Sequence, residues 1–378
     1  MYDFDTVINR EGFGSCKWER RNDYEKSHGI MPMSIADMEF SVAACVKEAV
    51  IAAAEHGIYG YTDPTPRFLD AIRGWMKKRH SLDISRDEII TLSGVVPALR
   101  VAIRALTSPG DGVIINSPIY PPFFDSITLT GRRVEDCPLL FDGEKYEIDF
   151  EAVAAVAAKP DVTLMIICSP HNPVGRVWTV DELRKLEDIC SVNGVTVVSD
   201  EIHADLVLKG RHTPYLNISS DCVLLAAPSK TFNIPGLNTA FCLVRNPALR
   251  ERMAKQVKID GFENMSYFGH VAAIAAYEGA ADWLDAALDY IRGNFETLAA
   301  FIKDKMPMLK LIDAEGTYLA WIDFRPLGYN ERDLETFTRE KAHLILDEGY
   351  IFGKAGSGFE RINLAVPRQE LVKALDRL

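Results

Sequence analysis

The sequence predicts an α/β fold, with a large domain on a mostly parallel sheet flanked by helices and a smaller α+β domain made from both chain ends. Two observations carry this. In the middle of the 378-residue chain, short apolar runs, most of them carrying Val or Ile, alternate with longer amphipathic segments. From His270 onward the texture changes to a long Ala-rich amphipathic stretch through Trp283 to Lys303, followed by shorter mixed elements.

The candidate strands are Glu88–Leu92, Val113–Asn116, Val162–Cys168, Val195–Ser199, Val223–Ala226 and Ala240–Val244. Each is nearly continuous in apolar character, as suits a strand covered on both faces. Candidate helices lie between them at Pro97–Leu106, Asp149–Ala158 and Val180–Asn193. The third has Thr179 as N-cap, Glu182 as capping-box partner and Asn193-Gly194 as a stop. Beyond Lys303 the expected elements are a strand over Thr317–Phe324, a helix from Glu331 to Glu348 and a strand over Arg361–Ala365. The segment before Ser41 has no helix–strand unit of its own and is expected to pack with that C-terminal region. The division is therefore 42–278 for the large domain, with 1–41 and 279–378 forming the small one.

Composition narrows the function classes. With 48% hydrophobic residues the chain can bury a sizeable core. The balance of 42 Lys+Arg against 54 Asp+Glu gives −12, which argues against nucleic-acid binding by bulk electrostatics. Any bound anion must be met by a local arrangement of donors. Seven cysteines, scattered without a C-x-x-C pair or metal-ligand spacing, argue for a reducing compartment and against a disulfide framework or structural zinc. No metal site is expected. Met1-Tyr2-Asp3-Phe4-Asp5 lacks the basic start and apolar stretch of a signal peptide, and no apolar run reaches membrane-span length. The expectation is a soluble cytoplasmic protein with no membrane partner.

In an open parallel sheet, ligands bind outside the carboxyl ends of the strands, so the residues that follow each strand matter most. Ser93-Gly94-Val95-Val96-Pro97 is a Gly turn opening a helix, whose free N–H groups suit a phosphate, although an ordinary turn reads the same way. Ser117-Pro118-Ile119-Tyr120-Pro121-Pro122 holds Tyr120 in a proline-stiffened loop, as a stacking ring or a core residue. Asn172 stands between Pro170 and Pro173, where its amide donates to a ligand or serves a turn. Asp200-Glu201-Ile202-His203 ends a buried strand with a carboxylate, costly there unless a positive charge meets it. In Pro228-Ser229-Lys230-Thr231-Phe232-Asn233, one lysine sits among small and apolar residues. Singly, each has a bland explanation. In order along five strands they form one set: an anion-binding turn, an aromatic, an amide, a carboxylate and a lysine. Pyridoxal 5′-phosphate uses all five.

With these residues the chain resembles fold-type I pyridoxal-phosphate enzymes of the aspartate aminotransferase superfamily, and more narrowly the MalY/PatB cystathionine β-lyase group. The resemblance spans essentially the whole chain. It includes Asn9-Arg10, Lys17-Trp18-Glu19, Ile35-Ala36-Asp37-Met38-Glu39-Phe40, Tyr59-Gly60-Tyr61-Thr62-Asp63 and Gly356-Ser357-Gly358-Phe359-Glu360-Arg361-Ile362-Asn363. It implies a seven-stranded sheet and a homodimer in which Tyr61 enters the neighbouring subunit's site. It also implies that Lys230 forms the Schiff base, that Asp200 partners the pyridine N–H, that Tyr120 stacks on the ring and that Asn172 donates to its O3′. Gly94, Val95 and Ser229 would help bind the phosphate, His203 would lie by the cofactor, and Arg361 would pair with the substrate α-carboxylate.

The chain departs from common superfamily patterns at three positions. His203 replaces a tyrosine three residues beyond the aspartate, as in the β-lyase group. Asn238 stands where an arginine is frequent eight residues after the lysine, and Ser34 replaces a tryptophan of the opening signature. The resemblance implies β-elimination from cystathionine or another S-substituted cysteine. An aminotransferase and a cofactor-binding regulator remain open as alternatives.

Overall fold

A computed structural model of the chain describes residues 2–262 and 264–378. Its centre is a seven-stranded sheet in the order Ile89–Leu92, Ala240–Leu243, Cys222–Ala226, Thr196–Asp200, Val162–Cys168, Gly112–Ile115, Arg133–Asp136. All neighbours pair in parallel except Ala240–Leu243, which runs antiparallel to both of its partners. The α/β expectation therefore holds, and all six candidate strands are present. The unforeseen seventh, Arg133–Asp136, is an edge strand that reads as polar because it is only partly covered.

The helices follow the local signals where caps are strong. Thr179 accepts from the Glu182 N–H, and the Glu182 carboxylate returns to the Thr179 N–H, closing the box at the start of Val180–Val192. Asp149 caps Phe150–Ala157 by accepting from the Ala152 N–H, with no return bond. The long stretch after His270 is two helices, Tyr267–Gly279 and Ala281–Lys305, interrupted at Ala280. Gly269 has a packing reason, because a Cβ there would run into the Thr239 hydroxyl and the Leu237 carbonyl.

One element differs in kind from expectation. The segment Glu331–Glu348 is an α-helix only over Glu331–Thr336, widens to a π-helix over Phe337–Lys341, and then becomes two short strands. His343 takes φ 51°, which stops the helix, and Leu344 and Leu346 are buried in the core of the C-terminal region. Leu344–Ile345 pairs in parallel with Met31–Pro32, while Asp347–Glu348 pairs antiparallel with Arg361–Glu360. Pairing and burial outweigh helix propensity here. The N-terminal segment packs by this route against a four-stranded sheet that contains Leu319–Asp323 and Phe359–Asn363. Among the described residues, no helix is long and apolar enough to cross a membrane.

Candidate active site

The loops after five parallel-running strands converge on one cavity of about 230 Å³. Gly94, Val95, Tyr120, Asn172, Asp200, His203, Ser229 and Lys230 all line it. At one end the helix Val95–Leu106 begins at Gly94, which has no side chain to cap it. The first N–H groups of that helix are left for an anion. Asn238 and Thr239 close the same end. Asn238 has φ 51°, a left-handed conformation that Asn tolerates well, so the position frequent for arginine is used here as a turn.

Asp200 is only 4% exposed and receives one hydrogen bond, from the Ile202 N–H at 3.1 Å. Burial lifts its pKa to about 7, with Lys230 opposing the shift only weakly. Such a carboxylate is poised for a cation. Lys230 is the nearby cationic group, and burial brings its pKa down to about 8. Its Nζ donates to the Ala36 carbonyl. His203 is buried with Nδ1 unpartnered, and burial followed by the charges of Lys230 and Arg361 lowers its pKa to about 3, so it is neutral. Burial also raises the Tyr120 phenol.

Arg361 reaches this group from the four-stranded sheet. Its NH1 donates to Asn172 Oδ1 at 2.8 Å, which leaves the Asn172 Nδ2 free to donate toward the cavity. Its guanidinium lies 4.8 Å from the centre of the Phe352 ring. Beside the cavity a second space of about 710 Å³ opens along the N-terminal segment and shares Lys230, Ala36 and Pro235 with it. Its wall carries Arg10, Asp37 and Glu39, and the last two hold the buried Lys17 amine, each at 2.8 Å. Two expected residues do not line the first cavity: Arg361, which is buried and joined to it through Asn172, and Tyr61, which stands out in solvent at 97% exposure.

An uncapped helix start, a buried carboxylate and an inward lysine thus stand together at the ends of parallel-running strands. The class I and II aminotransferase model matches residues 28–378. The chain belongs to the class I and II aminotransferase family. Within it, the chain is 37% identical to cystathionine β-lyase PatB of Bacillus subtilis, covering 99% of this chain and 98% of that protein. It is 35% identical to MalY of Escherichia coli, covering 99% and 97%. Cystalysin of Treponema denticola, solved with pyridoxal 5′-phosphate, superposes with a TM-score of 0.95 at 39% identity over 100% of this chain and 98% of that one. The pyridoxal-phosphate-bound C–S lyase of Staphylococcus hominis superposes at 0.92 with 30% identity, covering 100% and 97%. The chain is thus a fold-type I member of the family, in its cystathionine β-lyase and C–S lyase branch.

Residues that sequence reading missed share one property: they act through backbone or through distant neighbours. Thr239 follows a Gly-containing turn with no motif of its own. The Ala36 carbonyl carries no side-chain signal. Asp347 was hidden in the expected helix, yet its carboxylate binds Arg361 at 2.6 Å.

Proposed function

We propose that this protein is a pyridoxal-phosphate-dependent carbon–sulfur β-lyase that cleaves cystathionine or related S-substituted cysteines to a thiol, pyruvate and ammonia. The observation that carries it is the convergence of Lys230, Asp200 and Asn172 on one cavity, with Arg361 bonded to Asn172 behind it, in a chain whose full-length relatives include named cystathionine β-lyases. When bound, the cofactor supplies an electron sink for charge developing at the substrate Cα. The donor set fits such a group at both ends, with free helix N–H groups and Ser229 for its phosphate and the cation-seeking Asp200 for its pyridine nitrogen.

Arg361 holds the substrate α-carboxylate through the N–H groups that neither Asn172 nor Asp347 uses. Tyr120 would cover the cofactor ring, Asn172 Nδ2 would donate to its phenolic oxygen, and Lys230 would hold its aldehyde carbon. The Lys230 amine would also serve as the base for the Cα proton. With its pKa near 8, a useful fraction of that amine is neutral around neutral pH, which a general base requires. The departing thiolate needs no acid to assist it, since a thiol ionises near pH 8.5. The larger adjoining space gives the S-substituent room. Neutral His203 fills the edge of the cavity without adding charge. A second copy of the chain completes the site with Tyr61, whose exposure supports that reading.

The test is incubation with cystathionine in the absence of any keto acid. Pyruvate and homocysteine formed together, with borohydride trapping the cofactor on Lys230, support the proposal. A similar pyridoxal-phosphate-bound protein of Clostridium difficile, described as a putative aminotransferase at 36% identity, makes amino transfer the second reading. Keto-acid-dependent transfer without pyruvate would select it.

A further inference from the structure

Arg361 is held from two sides. Besides Asn172, it donates from Nε at 3.1 Å and from NH2 at 2.6 Å to Oδ2 of Asp347. Arg361 is buried and Asp347 half-buried, and their strands set Asp347 directly opposite Arg361. A guanidinium has five N–H donors, of which these contacts take three. The remaining pair, one on NH1 and one on NH2, forms a fork for a carboxylate. Asp347 therefore fixes the guanidinium and leaves these two N–H groups without a partner among the described residues.

The same oxygen does more. Asp347 Oδ2 also accepts from the Ile35 N–H at 3.2 Å. Ile35 has φ 58°, in the left-handed region that a β-branched residue rarely enters. The strained turn is pinned again where Asn363 Nδ2 donates to the Ile35 carbonyl at 2.7 Å and to the Asp37 carbonyl at 2.7 Å. Its middle residue, Ala36, turns its carbonyl toward the cavity, where it accepts from Lys230 Nζ and from the Tyr318 hydroxyl at 2.9 Å. A chain of contacts thus runs from the Arg361 fork through Asp347 and the Ile35 turn to the Lys230 amine. Strain at a residue held on every side is what a functional constraint leaves behind.

We propose that Asp347 is a positioning residue that holds the Arg361 fork and the Ile35–Ala36–Asp37 turn as one unit, so that carboxylate recognition at Arg361 and the hold on the Lys230 amine are coupled. This rests on the reading that Arg361 receives the α-carboxylate. A second anion on the fork competes with Asp347 for the guanidinium, loosens the shared oxygen and lets the Ala36 carbonyl slacken its grip on the amine.

Two variants test it. Asp347→Asn keeps the shape and one acceptor but removes the charge. It raises KM for amino-acid substrates at least tenfold while changing kcat less than threefold, and it shrinks the preference for an amino acid over the matching amine that lacks the carboxylate. In cofactor-free protein, acetylation of Lys230 followed by mass spectrometry moves its pH midpoint downward, because an ammonium has lost an acceptor. Asp347→Glu restores part of both effects. Ile35→Gly relaxes the turn while leaving the Asp347–Arg361 pair intact, so it shifts the labelling midpoint and keeps the carboxylate preference.

A purely structural role predicts lower melting temperature with an unchanged preference and midpoint, and that result overturns the proposal. An unmoved midpoint in Ile35→Gly overturns the coupling even if Asp347→Asn fails to fold. The outcome is separable from the lyase reading. Absence of pyruvate from cystathionine with the wild-type protein refutes the lyase, whereas the carboxylate preference and the labelling midpoint speak only to Asp347.

Discussion

Between Asp200 and Asp205, neighbouring side chains of one loop meet opposite treatment on its two sides. Asp200 and His203 line the proposed cofactor cavity, where the carboxylate has a single backbone donor and the imidazole Nδ1 has no partner. Glu201 and Asp205 turn to other partners and are saturated. Asp205 accepts from His80 at 2.7 Å, Thr231 at 2.8 Å and Trp75 at 3.0 Å. Glu201 accepts from His212 at 2.7 Å and from the Tyr215 N–H at 2.7 Å. Burial acts on both aspartates, but the donors around Asp205 outweigh it and hold its pKa below the usual range, while Asp200 rises to about 7. Opposite outcomes for two carboxylates withdrawn from solvent mark which one stabilises the fold and which is kept open for a ligand.

Each side can be broken separately. The largest expected effect is on Asp200. In the cofactor-loaded enzyme, Asp200→Asn lowers kcat/KM by about 10²–10⁴-fold, the range for losing a positioned ionisable group, with melting temperature little changed. Steady-state kinetics and thermal denaturation check this together. Asp205→Ala does the reverse. It leaves His80 facing an empty partner position and costs about 3–5 kcal/mol of stability, measured by denaturant unfolding. Residual folded protein should keep most of its activity.

The third prediction concerns pH in cofactor-free protein. The carboxyl of Asp200 ionises at about 3.8 unfolded and at about 7 folded. Between those values the folded state binds the extra proton, so stability falls as pH rises through the window. Below 3.8 Asp200 costs nothing; above 7 the full penalty, on the order of a few kcal/mol, is present. Asp200→Asn should therefore stabilise the cofactor-free protein at pH 8 and make no difference at pH 4, by calorimetry. Loading the cofactor should erase the wild-type deficit. The smallest effect belongs to His203. Its pKa near 3 keeps it neutral across the working range, so His203→Gln should leave the kcat/KM profile between pH 5 and 8 unshifted. A lost inflection in that range would show that His203 titrates there.

Legibility in the sequence followed the range of the forces involved. The Thr179–Glu182 box, the apolar strands and the strand-end residues Tyr120, Asn172, Asp200 and Lys230 are local features. Their chemistry and spacing were readable because a parallel sheet brings successive strand ends together by construction. The π-turned end of Glu331–Glu348 and the Ile35 turn were not, since each depends on contacts between residues about 310 positions apart, as in Met31 with Leu344 and Ile35 with Asp347. The Asp347 clamp on Arg361 spans only 14 positions, but it needs the strand pairing that replaced the expected helix. The residues of the proposed cofactor cavity thus followed from linear order plus the chirality and connectivity of α/β sheets. Which of two buried aspartates is satisfied, and which oxygen holds Arg361, was decided only when distant segments packed, because hydrogen-bond saturation and desolvation belong to the assembled interior and have no value along an extended chain.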